Sequence, residues 1–300
     1  MKSREKNNIV KTPGKNQKGF NELAYIIHVL LSRKLVLIGL VIILVTVVAA
    51  IFAPLLAPYD PNQTNMKETL LQPNKDHLLG TDSLGRDTLS RLIFGARISL
   101  LVAIVGVGIS AVSGMMLGLV AGYFGGILGK IIMRFIDTMM AFPMVILSLT
   151  IATLLGGGIT GVIIAVGVGL MALYARVMWG QVMIVRQNDY ILAERAMGAN
   201  DWSIMMRHML PNCFPVLVVM VTIQMGAAIL MEAGLSFLGV GILPPTAAWG
   251  SMVANGYNYL TTVPILSFAP GIAIMLVVFG FNMVGDGIRD AFDPRLRGKI

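Results

Sequence analysis

Long apolar stretches separated by shorter polar ones dominate this sequence. Six stretches approach or exceed about 20 residues with few charges, which is the length an α-helix needs to cross the hydrocarbon core of a bilayer. They lie at 35–57, 96–123, 131–155, 161–184, 214–235 and 266–286. The pattern predicts an all-α membrane protein with six transmembrane helices.

Lysine and arginine fall unequally on the two sides that these spans define. Of the 23 basic residues, five lie on the side of the 58–95 segment and the others lie on the opposite side; the five are Lys67, Lys75, Arg86, Arg91 and Arg97. Cytoplasmic loops carry an excess of Lys and Arg, so we place both termini in the cytoplasm. The sequence predicts a multi-pass protein of the cell (plasma or inner) membrane.

Composition agrees with a lipid bilayer as the solvent. Hydrophobic residues make up 56% of the 300 and charged residues 13%, against about 45–50% and 25% in soluble domains. The net charge of +8 is concentrated on the cytoplasmic side, where anionic lipid accounts for it. No basic stripe is interleaved with aromatic residues, so we expect no nucleic-acid partner. Cys213 is the only cysteine and is expected to pack in the interior.

The segment 190–212 is the one polar, internally patterned stretch between two long spans. Gly198 is expected to break it into two short helices, with Asn200 or Asp201 capping the second and Pro211 closing it. In the second helix an apolar stripe recurs at i, i+3, i+4 and i+7, formed by Trp202, Met205, Met206 and Met209. Such a helix lies on a surface and offers one face to a partner.

The outer segment 58–95 contains Gly-Thr-Asp-Ser-Leu-Gly-Arg-Asp at 80–87. Gly80 and Gly85 suit tight turns, Asp82 or Asp87 can cap a following helix, and Arg86 stands among carboxylates that can hold it. We favour a structural turn with ion pairs over a ligand contact.

Small residues recur at every fourth position in the second span, at Gly106, Ser110, Gly114, Gly118 and Gly122. Such a stripe lets two helix backbones approach closely in lipid, but it does not say whether the partner helix belongs to this chain. The spans also hold two carboxylates. For Asp137 we favour an i,i+3 pair with Arg134 over a proton or substrate site, and for Glu232 an interfacial or gate-lining position.

Two glycine-rich stretches only resemble nucleotide motifs. Residues 156–161 satisfy G-x-G-x-x-G but join two spans without a preceding strand, and 125–130 lack the P-loop spacing. No paired acid and base or activated nucleophile stands outside the spans. We therefore expect no catalytic residues, no metal, no cofactor and no nucleotide site, and not an enzyme.

Several of these motifs together resemble one family. The run Ala-Glu-Arg-Ala-Met-Gly-Ala (193–199) with Leu210-Pro211-Asn212 is similar to the cytoplasmic loop of ABC-importer permeases, although the usual Glu-Ala-Ala triplet falls at Leu192, Ala193 and Glu194. The 80–87 motif, Asp137 to Pro143, the stretch from Glu232 and the C-terminal tail resemble the C-type permease subunits of dipeptide, oligopeptide and nickel importers.

This resemblance implies a type I ABC importer permease fold and a set of partners. The partners are a homologous B-type permease, two ATPase subunits, an extracytoplasmic solute-binding protein and a peptide substrate. It also implies that the 190–212 segment, which we call the coupling loop, docks on an ATPase. The residues expected to serve docking are Glu194, Gly198, Ala199, Trp202, Met205, Met206, Arg207 and Pro211, with Trp202, Met205 and Met206 as the apolar face.

The expected organisation has five parts: a cytoplasmic tail (1–34), a first transmembrane helix (35–57), an extracytoplasmic segment (58–95), a five-helix core (96–288) that contains the coupling loop, and a cytoplasmic tail (289–300). The expected function is ATP-driven peptide import by alternating access. Two alternatives stay open: import of nickel or another small solute, and proton-coupled secondary transport through Asp137 and Glu232.

Overall fold

A computed structural model describes residues 30–292 of the chain. The predicted cytoplasmic tails, 1–34 and 289–300, lie almost wholly outside the described residues. Within 30–292 the structure is helical, and β-pairing there is limited to one isolated bridge between Thr81 and Asp87. The predicted all-α fold class is therefore confirmed.

The helices follow one another with short connections. They are α1 (Lys34–Ile51), α2 (Ala53–Leu56), α3 (Thr88–Phe124), α4 (Gly126–Ala141), α5 (Met144–Leu154), α6 (Gly158–Val185), α7 (Asp189–Ala196), α8 (Asp201–Ser203), α9 (Leu210–Phe237), α10 (Trp249–Tyr257) and α11 (Ile265–Phe292). A π-helical turn, Ile204–Met209, joins α8 to α9 without a break.

Five helices of the described chain are long and apolar enough to cross a membrane: α1, α3, α6, the continuous helix that ends in α9, and α11. The remaining predicted span, 131–155, forms the pair α4 and α5, which meet at an angle of 94°. The break falls at Phe142 and Pro143. Proline lacks the N–H that an unbroken helix needs, so the kink expected at Pro143 is present as a sharp bend.

The small-residue stripe of α3 packs against α6 of the same chain, which answers the question that the sequence left open. Ser110 is buried there, and its hydroxyl donates to the carbonyl of Val107. A Cβ on any of the four glycines would approach an α6 residue too closely: Val166 for Gly106 (2.9 Å), Met171 for Gly114 (2.4 Å), Ala175 for Gly118 (2.3 Å) and Val182 for Gly122 (2.7 Å). These glycines set the distance between the two helices.

The other long helices surround this pair. α9 packs on α3, α6 and α11, and α1 packs on α11 and α3. α4 contributes one buried stripe, formed by Gly129, Met133 and Ile136, with Ile132 and Met139 partly buried beside it. Much of the α4–α5 side of the bundle is thus left uncovered by the chain's own helices.

Candidate functional site

The coupling loop folds as two helical pieces that turn at Gly198. Gly198 has φ of 77°, in the left-handed region that glycine adopts without strain. The next helix is capped by Asn200, whose side-chain oxygen accepts from the N–H of Trp202 at 2.9 Å. Both features follow from local sequence, because a turn glycine and a capping amide act on their immediate neighbours.

The coupling loop is tied to the end of α3. The Tyr123 hydroxyl donates to the Asp201 carboxylate, and the Arg195 guanidinium lies over the Tyr123 ring with Cζ 4.5 Å from its centroid. Across the loop, Nε2 of His208 lies 3.6 Å from Glu194, an ion pair when the histidine is protonated. These contacts fix the loop to the helix that carries the glycine stripe.

The apolar stripe predicted for this loop is divided between two faces. Met205 is 2% exposed and packs with Ile204 and Met209 in a buried cluster, whereas Trp202 is 57% exposed. The reason is the π-helical turn: its i→i+5 bonding makes residues three apart diverge, so Met205 rotates inward away from Trp202. Met205 is therefore not part of an exposed face, and the prediction that it docks is wrong for this conformation.

The remaining predicted docking residues stay near the surface. Met206 and Glu194 are half-buried, Arg207 is exposed, and Ala199 packs against the edge of the buried cluster. Pro211 does not close the helix as expected. It lies inside the continuous helix, two residues after the π-helical turn, and the helix runs on to Phe237.

A second group of interacting polar residues lies in the 58–95 segment. Gly80 and Gly85 take φ of 72° and 70°, and a Cβ on either would meet a backbone carbonyl oxygen, Leu71 at 2.2 Å or Asn65 at 1.8 Å. Asp82 accepts from the N–H groups of Leu84 and Arg86. The motif is thus a compact turn closed by its own carboxylate.

The motif also begins α3. Asp87 is its N-cap and accepts from the Ser90 N–H at 2.7 Å, and Oδ2 of Asp82 lies 2.7 Å from Nε of Arg86. Thr81 is fully buried, and its hydroxyl donates to the carbonyl of Glu68. Each side chain is used in holding the segment together, as the structural interpretation expected.

Two residues of this segment were not singled out from sequence. His77 is buried with Nδ1 2.9 Å from the Asp87 carboxylate, and Arg91 donates to the carbonyls of Pro61 and Pro245. Arg91 thus ties the start of α3 to the loop between α9 and α10. The Arg91 contacts join distant parts of the chain, 30 and 154 positions apart, and the His77 contact spans ten residues of an irregular segment. No local spacing signals either of them.

Glu232 is not at an interface or a gate in this conformation. Its side chain is fully buried within the chain and accepts from the hydroxyls of Ser99 (3.0 Å) and Ser236 (2.9 Å). Ser236 also accepts from the N–H of Ile242. Glu232 lies between α3 and α9 because serines on both helices supply donors there, so the predicted gate-lining position is corrected to an interior one.

Asp137 pairs with a different arginine from the one expected. Its carboxylate contacts Arg176 of α6, and the predicted partner Arg134 makes no ion pair among the described residues. The backbone carbonyl of Arg134 accepts a hydrogen bond from the Thr138 hydroxyl. The α4–α6 contact brings Arg176 to Asp137, which spacing along α4 cannot reveal.

Within residues 30–292, no group of three or more His, Cys, Asp or Glu residues is arranged to hold a metal ion. The conspicuous polar groups there are the turn, the loop and the embedded carboxylates described above. The geometry therefore defines a polytopic helical membrane protein with a polar loop fixed to the ends of its spans.

Comparison with known proteins identifies the family. Residues 114–298 match the family described as binding-protein-dependent transport system inner membrane component, and residues 23–73 match the N-terminal transmembrane domain of oligopeptide transport permease C. The chain belongs to the binding-protein-dependent transport family, whose members are permease subunits of ABC importers and not enzymes. Membership implies a membrane setting and partner ATPases.

Curated relatives match along most of their length. The dipeptide transport system permease protein DppC of Alkalihalophilus pseudofirmus is 38% identical over 89% of this chain and 88% of its own. The oligopeptide permease OppC of Bacillus subtilis is 38% identical over 89% and 87%. The glutathione permease GsiD of Pectobacterium atrosepticum is 39% identical over 85% of each.

A solved structure shares the fold. The inward-facing MetNI methionine ABC transporter aligns with a TM-score of 0.55 and 20% identity, over 68% of this chain and 97% of that one. This likeness establishes the type I ABC importer permease fold predicted from the sequence.

Proposed function

We propose that the chain is the C-type permease of an ATP-driven importer of short peptides. The observation that carries the proposal is the agreement between family membership and a coupling loop tied to the inner end of α3. Relatives named for dipeptide, oligopeptide and glutathione transport support a peptide solute. ATP-driven closure of two ATPases would move the loop and switch the bundle between inward-open and outward-open states.

We assign the second permease and the solute-binding protein to surfaces that the chain leaves exposed. A homologous B-type permease would cover the α4–α5 side, which the chain's own helices leave exposed. A solute-binding protein would dock on the extracytoplasmic 58–95 segment, whose turns and ion pairs make it rigid. We also propose that both termini lie in the cytoplasm and that the chain is divided into tails, first span, outer segment and five-helix core.

The coupling loop is the proposed contact with the ATPase. Trp202, Met206 and Arg207, together with Asn200 and Ser203, line a shallow open cavity of about 290 Å³ on its surface. A tryptophan beside an open cavity is the kind of anchor that dominates protein interfaces. Gly198 serves as the turn that presents this surface.

The test is uptake by the complete importer reconstituted in proteoliposomes. We expect accumulation of labelled dialanine to require internal ATP and to persist when an uncoupler collapses the proton gradient. Loss of uptake on uncoupling, with ATP maintained, would instead indicate a proton-coupled carrier. ATP-dependent accumulation of labelled Ni²⁺ without accumulation of dialanine would instead assign the nickel alternative.

A further inference from the structure

The ion pair between Asp137 and Arg176 lies on an exposed surface formed by α4 and α6. The two side chains are 40% and 38% exposed. Exposed apolar residues lie one turn away, Met140 on α4 and Leu173 on α6, and Arg134 and Thr138 are exposed polar neighbours on α4. Among the described residues it is the only ion pair inside the predicted spans. Trp179 flanks it, with its ring centroid 6.0 Å from the Arg176 guanidinium carbon.

The pair lies inside the membrane. Arg176 is roughly 14 Å from the Val185 end of α6 at 1.5 Å per residue, and α6 as a whole is about 42 Å long against a hydrocarbon core of about 30 Å. Charged side chains at such a depth face a protein partner or a water-filled cavity and not lipid, because lipid leaves them without solvation.

The side of the bundle that carries the pair indicates whether it faces a protein partner or a water-filled cavity. α4 packs on its own chain through one stripe and turns through 94° into α5 one turn beyond Asp137. In the proposed importer this side meets the second permease, and the solute path runs between the two permeases. The pair is then placed on the wall of that path.

The chemistry of the pair indicates its ligand. Separating a carboxylate from a guanidinium in a poorly solvated place is costly unless both charges find new partners. A peptide with a free amine and a free carboxylate supplies both: its ammonium donates to Asp137, and its carboxylate accepts two parallel bonds from the fork of Arg176. A bare cation would gain Asp137 but be repelled by Arg176.

We propose that Asp137 and Arg176 form a peptide-binding site in the translocation path that recognises the charged termini of the solute, an inference that rests on the proposed function. When the path is empty, the two side chains form an ion pair with each other. When a peptide occupies the path, Asp137 pairs with its ammonium and Arg176 with its carboxylate. Both side chains are therefore paired in both states.

The decisive variant is Asp137→Asn combined with Arg176→Gln, which removes both charges and leaves neither unpaired. Uptake of dialanine by the wild-type protein is measured first, in the complete importer with an excess of peptide-loaded binding protein. If the wild type shows no ATP-driven uptake, the proposed function is wrong, and the result says nothing against the binding site. In the double variant we expect normal assembly and an uptake of dialanine reduced by roughly 10-fold or more, the effect of losing charge-assisted hydrogen bonds. Arg134→Gln, one turn away on α4, is the control and should stay within twofold of wild type.

A second readout separates recognition from structure. With occupancy of the binding protein matched, the preference of the importer for dialanine over its N-acetylated or amidated form should fall towards unity in the double variant. The proposal is overturned if the double variant transports dialanine like wild type, if the preference is unchanged, or if the variant fails to assemble with the second permease, since that would make the pair an interface contact.

Discussion

Gly198 is the single residue on which the direction of the coupling loop depends. Its φ is 77°, and no atom outside its immediate neighbours lies within 4 Å of the place where a Cβ would be. The requirement at this position is therefore conformational and not steric. An L-residue in the left-handed region costs about 1–2 kcal/mol, least for asparagine and most for β-branched side chains.

We expect Gly198→Val to abolish both peptide uptake and copurification of the ATPases, because the turn that presents Trp202 cannot form without strain. Gly198→Asn is the matched control and should retain most of both activities. Uptake and subunit composition are measured on the same membrane preparation. Normal uptake by the valine variant would show that the loop does not need this turn.

The sequence best predicted the roles of residues that depend on the conformation of the local backbone. The turn conformation of Gly80 and Gly85 and the cap that Asp87 forms are local properties of the backbone, so spacing was sufficient to predict turns and a helix cap. Glu232 was misplaced because its partner Ser99 is 133 positions away in the chain. Likewise Arg134 stands closer in sequence to Asp137, but the packing of α4 on α6 selects Arg176.

Two helices, α3 and α6, form the frame on which the other elements are placed. The glycine stripe brings their backbones together. α3 carries Ser99 near its N-terminal end, which Asp87 caps, and Tyr123 at the coupling loop. In the proposed mechanism, a displacement of the loop is passed to this helix. The helices can approach this closely because the glycines have no Cβ. Replacing one glycine by alanine, which adds one methyl group, tests the contact directly.

Gly118→Ala should destabilise the protein by about 1–3 kcal/mol, the usual effect of overpacking, because the new Cβ would lie 2.3 Å from the carbonyl oxygen of Ala175. Gly108→Ala in the same helix is the control, since nothing lies within 4 Å of its Cβ position. Thermal unfolding of the detergent-purified complex should show a midpoint several degrees lower for Gly118→Ala alone. Equal midpoints for the two variants would contradict close packing of the stripe.

At the scale of elements, hydrophobic periodicity predicted where helices lie but not how they are interrupted. A six-span count treated 131–155 as one kinked helix, whereas α4 and α5 meet nearly at a right angle. The π-helical turn after α8 also carries no signal in an α-helical period, and it removed Met205 from the predicted face. At the α4–α5 bend and at the π-helical turn, tertiary packing decides the backbone geometry, and hydrophobic periodicity carries no information about it.

Two exposed features of the described chain are not explained by contact with lipid. An ion pair between α4 and α6 is exposed, and Trp202 is exposed on a polar loop outside the spans. Surfaces of these kinds belong to an assembly. The family assignment implies partner ATPases. In the proposed importer a second permease lies beside α4 and α5, and an ATPase lies beneath the coupling loop.

We expect Trp202→Glu to weaken ATPase binding by about 30-fold or more, as replacement of an interface tryptophan typically costs 2 kcal/mol or above. The π-helical turn and the buried cluster beneath it should stay intact because Trp202 is not part of that cluster. Met66→Glu is the control: it makes a similar exchange of an exposed bulky residue for a charge, but in the 58–95 segment, which the proposed topology places on the opposite side of the membrane from the ATPases. ATPase retained per permease after affinity purification is the measurement. If both variants retain the ATPase equally, the motor subunit contacts another surface, and the coupling loop loses its proposed role.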